Sequence, residues 1–541
     1  MRHSRLSGKV RWIGLLLACA AGVFAAAPEA RAQFSVVGHA VSAPASAAYD
    51  VEDYDVDGVT LIPTDDIEAA VYPFLGPGRT AADIDHAREA VQKVYSDRGY
   101  QTVVVQLPAQ AVSDNIVRIH VIEEPLGRLR VTGSRYFSPD FIRGQVSALK
   151  EGAVPNVDLA QSQLSDVNRL SDRQVTPVLT AGAVPGTVDI DLKVHDNLPV
   201  HGSVELNNDH NENTRSLRLT ATASYANLWQ LGHTFTFTYA VAPQDRAESE
   251  IFAGSYLAPI WGSPWSVLLN GYTSNSNVAT IGAGSVLGKG YTIAVTAIRQ
   301  LPRFGGFTDT LTFGMAYKDS EQNTTPGQPC TPKLCSFVSY FPFNLAYNIQ
   351  RSGPRFSTTA SASVTASSGF NSAAFQNNSR AKAFPTFVHV NLDVAETEAL
   401  PFGFQAFQHV TGQYSDGPME SSEEFAAGGL TSVRGYLQAE AIGDDGVAGT
   451  LELRSPSLAS YLGPLVDDLR FYAFTDAATL RVLYPLSEQT SSFNLASVGG
   501  GLRLYLLGHF TGDVGGALPL RDGPATHADH PRLIFDLKSD F

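Results

Sequence analysis

The sequence predicts a transmembrane β-barrel of 16 antiparallel strands preceded by two small α/β modules, and three observations lead to this fold class. Charged residues make up only 17% of the 541 residues, against roughly 25% in an ordinary soluble domain. After residue 32, no apolar run is long enough for a membrane-spanning helix. From residue 200 onward, apolar residues recur at every second position, which is the period of a β-strand. The apolar content also excludes an intrinsically disordered chain.

The N-terminus has the three parts of a secretory signal peptide. A basic start is followed by an apolar stretch, residues 12–27, and then by Ala30-Arg31-Ala32, which fits the small-x-small cleavage rule. We therefore expect a signal peptide over residues 1–32 and a short extension over residues 33–49. The alternative is a lipoprotein signal ending at Cys19, although Leu17 is large where a small residue is usual.

Two α/β modules are predicted next, over residues 50–124 and 125–199. In the first module we expect a strand at Val59 and Leu61, a helix from Thr64 to about Tyr72, a second helix from Thr80 to Gly99, and paired strands at 101–107 and 116–122. In the second module we expect a strand at 129–131, helices near 140–149 and 157–170, and a strand at 188–194. One module is thus used twice, at a period of about 75 residues.

The remaining residues, 200–541, alternate between apolar and small polar side chains. The runs 217–225, 235–241 and 311–317 are examples. A soluble sandwich would show the same alternation, but its polar face would carry more Lys and Glu. Here that face is mostly Thr, Ser, Ala and Gly, which is typical of a wet lumen behind a wall that contacts outer-membrane lipid. About sixteen such runs fit, and each leaves room for the 9–11 residues of a membrane strand.

In the last predicted strand, apolar and polar residues alternate up to the aromatic residue at position 541. Phe535, Leu537 and Phe541 share one face, and the pattern resembles the C-terminal signature by which barrel-assembly machinery recognises bacterial outer-membrane barrels. We therefore expect these three residues to form the barrel assembly signal.

Two motifs make a family resemblance specific. Residues 428–436 lie in the longest connection, 415–449, between predicted barrel strands 11 and 12, and resemble the VRGY/F motif of the polypeptide-transporting outer-membrane superfamily. Residues 107–110 resemble the LPxQ signature of the first POTRA domain in two-partner secretion transporters (TpsB; haemolysin secretion/activation, filamentous-haemagglutinin transporter type). The residues that carry these motifs are Val433, Arg434, Gly435 and Tyr436, and Leu107, Pro108 and Gln110.

The resemblance implies a fold and a function. It implies two periplasmic POTRA modules that bind an extended partner, and a 16-stranded barrel in the outer membrane of a Gram-negative bacterium that conducts it. The partner would be a large secreted exoprotein of the adhesin or haemolysin type (type V secretion). Many family members also have a plug helix and a linker before the first POTRA domain, for which residues 33–49 are too short.

The resemblance also implies an ionic contact. The family pairs the motif arginine with an Asp of an F/G-x-D-x-G motif on strand 13, and residues 474–478 match it as far as Asp476, with Ala478 in place of the final Gly. We expect Arg434 to contact Asp476 and so to position the loop. The alternative is that Arg434 is solvated in the lumen.

Other functions are less well supported by the sequence. An assembly factor of the same superfamily and a passive porin are the alternatives, and two modules with an LPxQ-type segment favour export. No GxSxG, HExxH or P-loop motif is present, so neither an enzyme nor a nucleotide cofactor is predicted. The energy for export would then come from folding of the partner at the cell surface.

Metal and nucleic-acid sites are not predicted either. The acidic run 53–58 begins like a calcium loop but has Thr64 at the twelfth position, and His527-x-x-His530 has no third ligand. With 38 Lys and Arg against 53 Asp and Glu, the net charge of −15 argues against nucleic acid. Cys330 and Cys335 would meet an oxidising compartment, so we expect a local disulfide between them.

Overall fold

The computed structural model describes residues 48–110, 115–212, 214–276, 278–281, 284–287, 289–302, 306–323, 335–369, 382–487 and 489–541. The predicted signal peptide, nearly all of the extension 33–49, and Cys330 lie outside this set, as does the side chain of Cys335. The chain forms two compact units, one built on most of the first α/β module and one that contains the second module and the barrel. Among the described residues, no helix combines the length and apolar character needed to cross a membrane.

The first module has a three-stranded sheet in which Asp53–Asp57 runs parallel to the central strand, Ile116–Ile122, and Val104–Gln106 lies on the other side. Its helices are Thr64–Val71 and Ala81–Asp97, with a 3-10 turn at Tyr72–Phe74. Two further short strands, Tyr49–Val51 and Gly76–Arg79, pair with each other in a separate sheet.

The strand predicted at Val59 and Leu61 is wrong. The strand lies at Asp53–Asp57 and ends at Gly58, which has a φ of +83°. A Cβ at Gly58 would lie 2.1 Å from the carbonyl oxygen of Val121. The strand therefore turns away at this glycine, and Val59 and Leu61 follow it in a loop.

The second module repeats the arrangement. Leu126–Thr132 is parallel to the central strand Val188–Asp196, and Arg173–Ala181 is antiparallel to it at the other edge. The helices are Pro139–Gln145 and Val157–Val167, and each has a side-chain cap, from Ser138 and from Asn156 respectively. The sequence analysis missed the strand Arg173–Ala181. The hydrophobic core of the second module consists of Leu126, Leu129, Phe137, Ile142, Val146, Leu149, Ala160, Leu164, Val167, Val175, Ile190, Leu192 and Val194.

Within the described residues, sixteen antiparallel strands close into a barrel, which confirms the predicted fold class. The eighth strand is interrupted only at Phe341. In chain order, barrel strands 1 to 16 are Val200–Asn207, Arg218–Leu228, His233–Val241, Glu250–Pro259, Trp265–Ser274, Lys289–Gln300, Phe307–Asn323, Cys335–Tyr340 with Pro342–Ser352, Phe356–Ser367, Val388–Ala399, Gln405–Ser415, Asp445–Arg454, Val466–Arg481, Ser492–Leu506, Phe510–Pro519 and Arg532–Asp540.

The connections differ between the two rims of the barrel. At the rim where the chain enters strand 1 they are mostly tight turns, such as 229–232 and 507–509. At the other rim they are longer; one carries the hairpin Val278–Ile281 with Gly284–Leu287, and the longest is 416–444 between strands 11 and 12, which we call loop six. Short periplasmic turns and long extracellular loops are typical of outer-membrane barrels.

The two faces of the wall differ as the alternation predicts. Outward positions of the strands carry exposed apolar side chains, whereas the alternate positions point into the lumen. On strand 13, for example, Phe471 is exposed while Tyr472, Phe474 and Asp476 are buried on the inner face. This contrast identifies which side chains can reach loop six.

The second module is attached to the short-turn rim. The backbone N–H of Ser138 donates to Gln230 Oε1 at 2.9 Å, and the ring of Phe141 packs edge-on against Trp261 with centroids 5.1 Å apart. His201, on strand 1, lies 2.8 Å from a carboxylate oxygen of Asp172. These contacts place the second module beside the turns that follow strands 2 and 4.

Candidate functional site

Loop six folds back against the inner face of the barrel. Its first half contains the 3-10 turn Ser421–Glu423, which is followed by a two-stranded hairpin, Phe425–Ala427 with Ala441–Gly443. Val433 and Tyr436, beyond this hairpin, are 0% and 3% exposed. The tip of the longest loop is therefore buried, because it is packed against lumenal side chains of the wall.

Arg434, at the tip, contacts the carboxylate of Asp476 through two side-chain hydrogen bonds. Its Nε donates to Asp476 Oδ2 at 2.8 Å and its Nη2 to Asp476 Oδ1 at 2.9 Å, while the backbone N–H of Arg434 donates to Oδ2 at 3.0 Å. The ring centroid of Phe474 lies 3.5 Å from the guanidinium carbon. The structure thus brings together the arginine and the aspartate that the sequence analysis singled out, in a bidentate geometry.

Glu452, on strand 12, is a third member of this cluster that the sequence analysis missed. Its Oε2 accepts from Arg434 Nη1 at 2.6 Å, and its Oε1 accepts from Arg454 at 2.7 Å and from Arg503 at 3.3 Å. Arg503 also donates to Asp513. One guanidinium of the loop is therefore held by two buried carboxylates, and a chain of ion pairs continues from it along strands 12, 14 and 15.

The electrostatics of the tip favour a permanently charged arginine. Burial alone would lower the pKa of Arg434, but the hydrogen bonds and the negative charges of Asp476 and Glu452 outweigh burial and raise that pKa above its ordinary value. Because the group stays protonated at any physiological pH, release of the loop cannot depend on its titration.

Tyr436 fixes the far side of the motif. Its hydroxyl oxygen lies 2.8 Å from the carbonyl oxygen of Arg521 and accepts from the backbone N–H of Ala496 at 3.2 Å. Glu440 accepts hydrogen bonds from backbone N–H groups of Ala525 and Thr526. The second half of the loop is thus attached to strand 14 and to the connection before strand 16.

The first half of the loop makes a separate ionic contact that the sequence did not reveal. Glu423 is 7% exposed, and its Oε1 lies 2.5 Å from Lys318 Nζ on strand 7 and 2.6 Å from the hydroxyl of Tyr340 on strand 8. His389, on strand 10, lies 3.4 Å from Oε2. A short acidic run, residues 420–424, is the only signal in the sequence, and nothing in that run distinguishes Glu423 from its neighbours.

The LPxQ-type segment follows strand Val104–Gln106 of the first module. Its Gln110 hydrogen bonds to the backbone of Arg118 in both directions, as donor from Nε2 at 2.7 Å and as acceptor at Oε1 at 2.8 Å. The amide thus acts as one additional rung of the sheet beside the central strand. Leu107 and Pro108 lie between this strand and Gln110 in the chain.

The C-terminal residue closes the barrel. The backbones of Phe541 and Gly202 exchange two hydrogen bonds, at 2.8 and 2.9 Å, beyond the ladder of strands 16 and 1. A Cβ at Gly202 would lie 2.5 Å from the ring of Phe541, so the ring covers this glycine. Phe535 and Leu537 precede it on strand 16, where Leu537 pairs with Leu206 and is 45% exposed on the outer face.

The remaining sequence features do not form a site in the described part of the chain. No group of three or more His, Cys, Asp or Glu residues is placed to hold a metal ion there. Asp57 instead contacts His120 at 2.5 Å, and the rings of His527 and His530 lie edge to face, 6.0 Å between centroids. The predicted Cys330–Cys335 disulfide involves Cys330 and the side chain of Cys335, both of which lie outside the part of the chain that the structure describes.

Comparison with known proteins gives a consistent result. The family "Haemolysin secretion/activation protein ShlB/FhaC/HecB" matches residues 186–504, more than half of the chain, and "POTRA domain, ShlB-type" matches residues 49–124. The heme/hemopexin transporter protein HuxB of Haemophilus influenzae (strain 86-028NP) is 21% identical over 95% of this chain and 92% of that protein. The structure of CdiB from Escherichia coli superposes with a TM-score of 0.68 at 20% identity, over 94% of this chain and 93% of that chain. BamA from Haemophilus ducreyi lacking POTRA domains 1–3 gives a TM-score of 0.53 at 15% identity, over 91% and 100%.

Proposed function

Because this chain belongs to the haemolysin secretion/activation protein family (ShlB/FhaC/HecB), we propose a role for each of its parts in the export of a large protein. The family consists of two-partner secretion transporters, so this chain moves an exoprotein across the outer membrane, with its POTRA domain in the periplasm.

The modules receive the partner. In each module the outer strands of the sheet pair with a neighbouring strand on one side only, and an extended polypeptide can add to such an edge through hydrogen bonds that depend little on its sequence. Arg173–Ala181 is such an edge in the second module, which lies beside the short-turn rim of the barrel. The partner would therefore be bound where the lumen begins.

The barrel conducts the partner, and loop six controls access to the lumen. The observation that carries this proposal is the bidentate Arg434–Asp476 contact with Glu452, because it fixes the buried tip of loop six to strands 12 and 13. Arg434 and Asp476 are positioning residues in this scheme. Folding of the partner at the cell surface would bias the movement outward.

Co-expression tests the proposal. A candidate exoprotein should accumulate in the medium only when this chain is present, and the outer membrane should contain normal amounts of unrelated barrels with or without it. An exoprotein that stays in the periplasm would contradict export. A loss of unrelated barrels when this chain is deleted would instead support an assembly factor, and restored uptake of small solutes alone would support a porin.

A further inference from the structure

Loop six has two ionic anchors rather than one, and they take their partners from different strands. Arg434 is held by strands 12 and 13, whereas Glu423 is held by strands 7, 8 and 10. Within the described residues, no side chain that contacts the Glu423 carboxylate also contacts Arg434. The first half of loop six, which carries Glu423, and its tip, which carries Arg434, are therefore held by independent sets of contacts.

The backbone around Glu423 is fixed as well. Gln413, on strand 11, donates from Nε2 to the carbonyl oxygens of Glu423 at 2.9 Å and Asp444 at 3.2 Å. Asp444 in turn accepts from the backbone N–H of Met419 at 2.8 Å and of Leu483 at 2.7 Å. The turn that carries Glu423 is thus set by the base of the loop and does not need the Arg434 contact to form.

A buried ion pair has the energetics that a releasable contact requires. Its Coulomb attraction is largely offset by the cost of removing both charges from water, so the intact pair adds little net stability. If loop six moved into a wet lumen, Lys318 and Glu423 would both be rehydrated. Their hydration would partly offset the Coulomb attraction that is lost when the pair separates. If only one partner is removed, however, the other is left buried and unpaired, which is strongly destabilising.

We propose that Glu423 is a second positioning residue of loop six, and that the lumen opens to a passing polypeptide only when the Glu423–Lys318 contact and the Arg434–Asp476 contact are both released. This inference rests on the proposed gating role of loop six. Burial alone would raise the pKa of Glu423, but the charge of Lys318 and the hydrogen bonds of His389, Lys318 and Tyr340 lower it to about 2, so the carboxylate is charged in any compartment that the protein meets.

Single-channel recording of the purified full-length protein in planar bilayers tests the inference without any partner. The variants are Glu423→Gln, Lys318→Met and the double variant, with Glu212→Gln as a matched control, because Glu212 is an exposed carboxylate in the connection before strand 2. We expect each single variant to raise the open fraction at least about tenfold, since each leaves one buried charge unpaired. We expect the control to behave as the parent.

The double variant is the decisive measurement. It removes both charges, so its open fraction should fall well below the product of the two single effects and return towards that of the parent. Single variants that stay as closed as the parent, or a double variant whose effect is the full product, would overturn the proposal. Heat-modifiable mobility on gels establishes that each barrel is folded, and if Glu423→Gln does not assemble, Lys318→Met is judged by the same criterion.

Secretion is measured separately on the same variants. If conductance changes as expected while secretion is absent even for the parent, the export function fails and the second anchor stands. If secretion is normal for the parent and conductance does not respond to the single variants, the second anchor fails and the export function stands.

Discussion

Replacement of Arg434 by Ala should release the tip of loop six while the barrel remains assembled. The variant loses three side-chain hydrogen bonds, two to Asp476 and one to Glu452, and the stacking on Phe474. Glu452 keeps Arg454 and Arg503 as partners, so the damage falls on Asp476, which is 1% exposed. A buried carboxylate that loses its cation costs about 3–5 kcal/mol, which is a shift of roughly a hundredfold to several thousandfold towards the released loop.

Labelling of a cysteine at position 433 measures that shift. Val433 is 0% exposed, so a Val433→Cys side chain reacts with a water-soluble maleimide only when the loop opens, and its rate reports the open population. The same chain without Val433→Cys gives the background from the native cysteines. We expect labelling to accelerate in the order parent, Arg434→Lys, Arg434→Ala, because lysine keeps the charge but cannot form the bidentate contact. Secretion should fall in the same order.

Two results would refute this reasoning. Labelling of the Arg434→Ala variant at the parental rate would mean that the contact does not hold the loop. Normal secretion by that variant, with accelerated labelling, would mean that the position of the loop does not matter for export. Loss of the folded barrel would be detected beforehand by its mobility on gels.

Three further changes test other parts of the chain. Gly202→Ala should lower the thermal stability of the barrel by about 1–3 kcal/mol, because its Cβ would meet the Phe541 ring at 2.5 Å, whereas Gly254→Ala, whose Cβ meets only one atom at 3.9 Å, should be neutral in the same heating experiment. Gln110→Ala should remove the extra rung of the first sheet at a cost of about 1–2 kcal/mol, detected as faster hydrogen exchange in the central strand, and unchanged exchange would contradict it. Burial raises the pKa of Asp209, in the connection after strand 1, to about 6; its folded form holds the proton more tightly than the unfolded chain, so its contribution to stability is fully present below about pH 4 and is lost as the pH rises to about 6. Asp209→Asn should therefore be more stable than the parent by up to about 3 kcal/mol at pH 7 and not at pH 4, and equal melting temperatures at both values would contradict this.

The barrel could be predicted because its strands are governed by a local rule. Alternate residues face lipid or lumen, so a run such as 235–241 reveals both its conformation and its two faces. The Arg434–Asp476 contact came from motif resemblance rather than from physics, because a period of two identifies the face of a residue but not its height or its position around the barrel. The same limit explains why Glu452 and Glu423 were missed: each is one acidic residue among several, and its partners are distant in sequence.

Two strands of the modules were misassigned for identifiable reasons. Tyr54 and Val56 alternate with acidic residues in Asp53–Asp57, and the sequence analysis compared this acidic run with the start of a calcium loop rather than with a strand, whereas the run is a strand that Gly58 terminates. Arg173–Ala181 contains Pro177, which argues against a central strand. It is tolerated because this strand lies at the edge of its sheet, where a missing N–H leaves no rung of the ladder unmade.

Under the proposed gating scheme, the two ionic contacts of loop six determine how much binding free energy the partner has to supply. A ligand can shift the loop only by binding the released state more tightly than the docked state, and a change from 1% to 99% released requires about 5.5 kcal/mol of differential affinity. At about 0.5–1.5 kcal/mol for each net hydrogen bond, this corresponds to roughly four to eleven bonds. The edge strand Arg173–Ala181 has 9 residues, and every second one directs its main-chain groups away from the sheet. Val175 already bonds to the Asn168 side chain with both groups, the N–H of Arg173 donates to Leu170, and Pro177 has no N–H, so the strand offers about six bonds to an added strand. One extended segment of about eight residues therefore offers enough bonds if it pairs with that edge much more tightly when loop six is released than when it is docked, and a protein that lacks such a segment would leave the lumen closed.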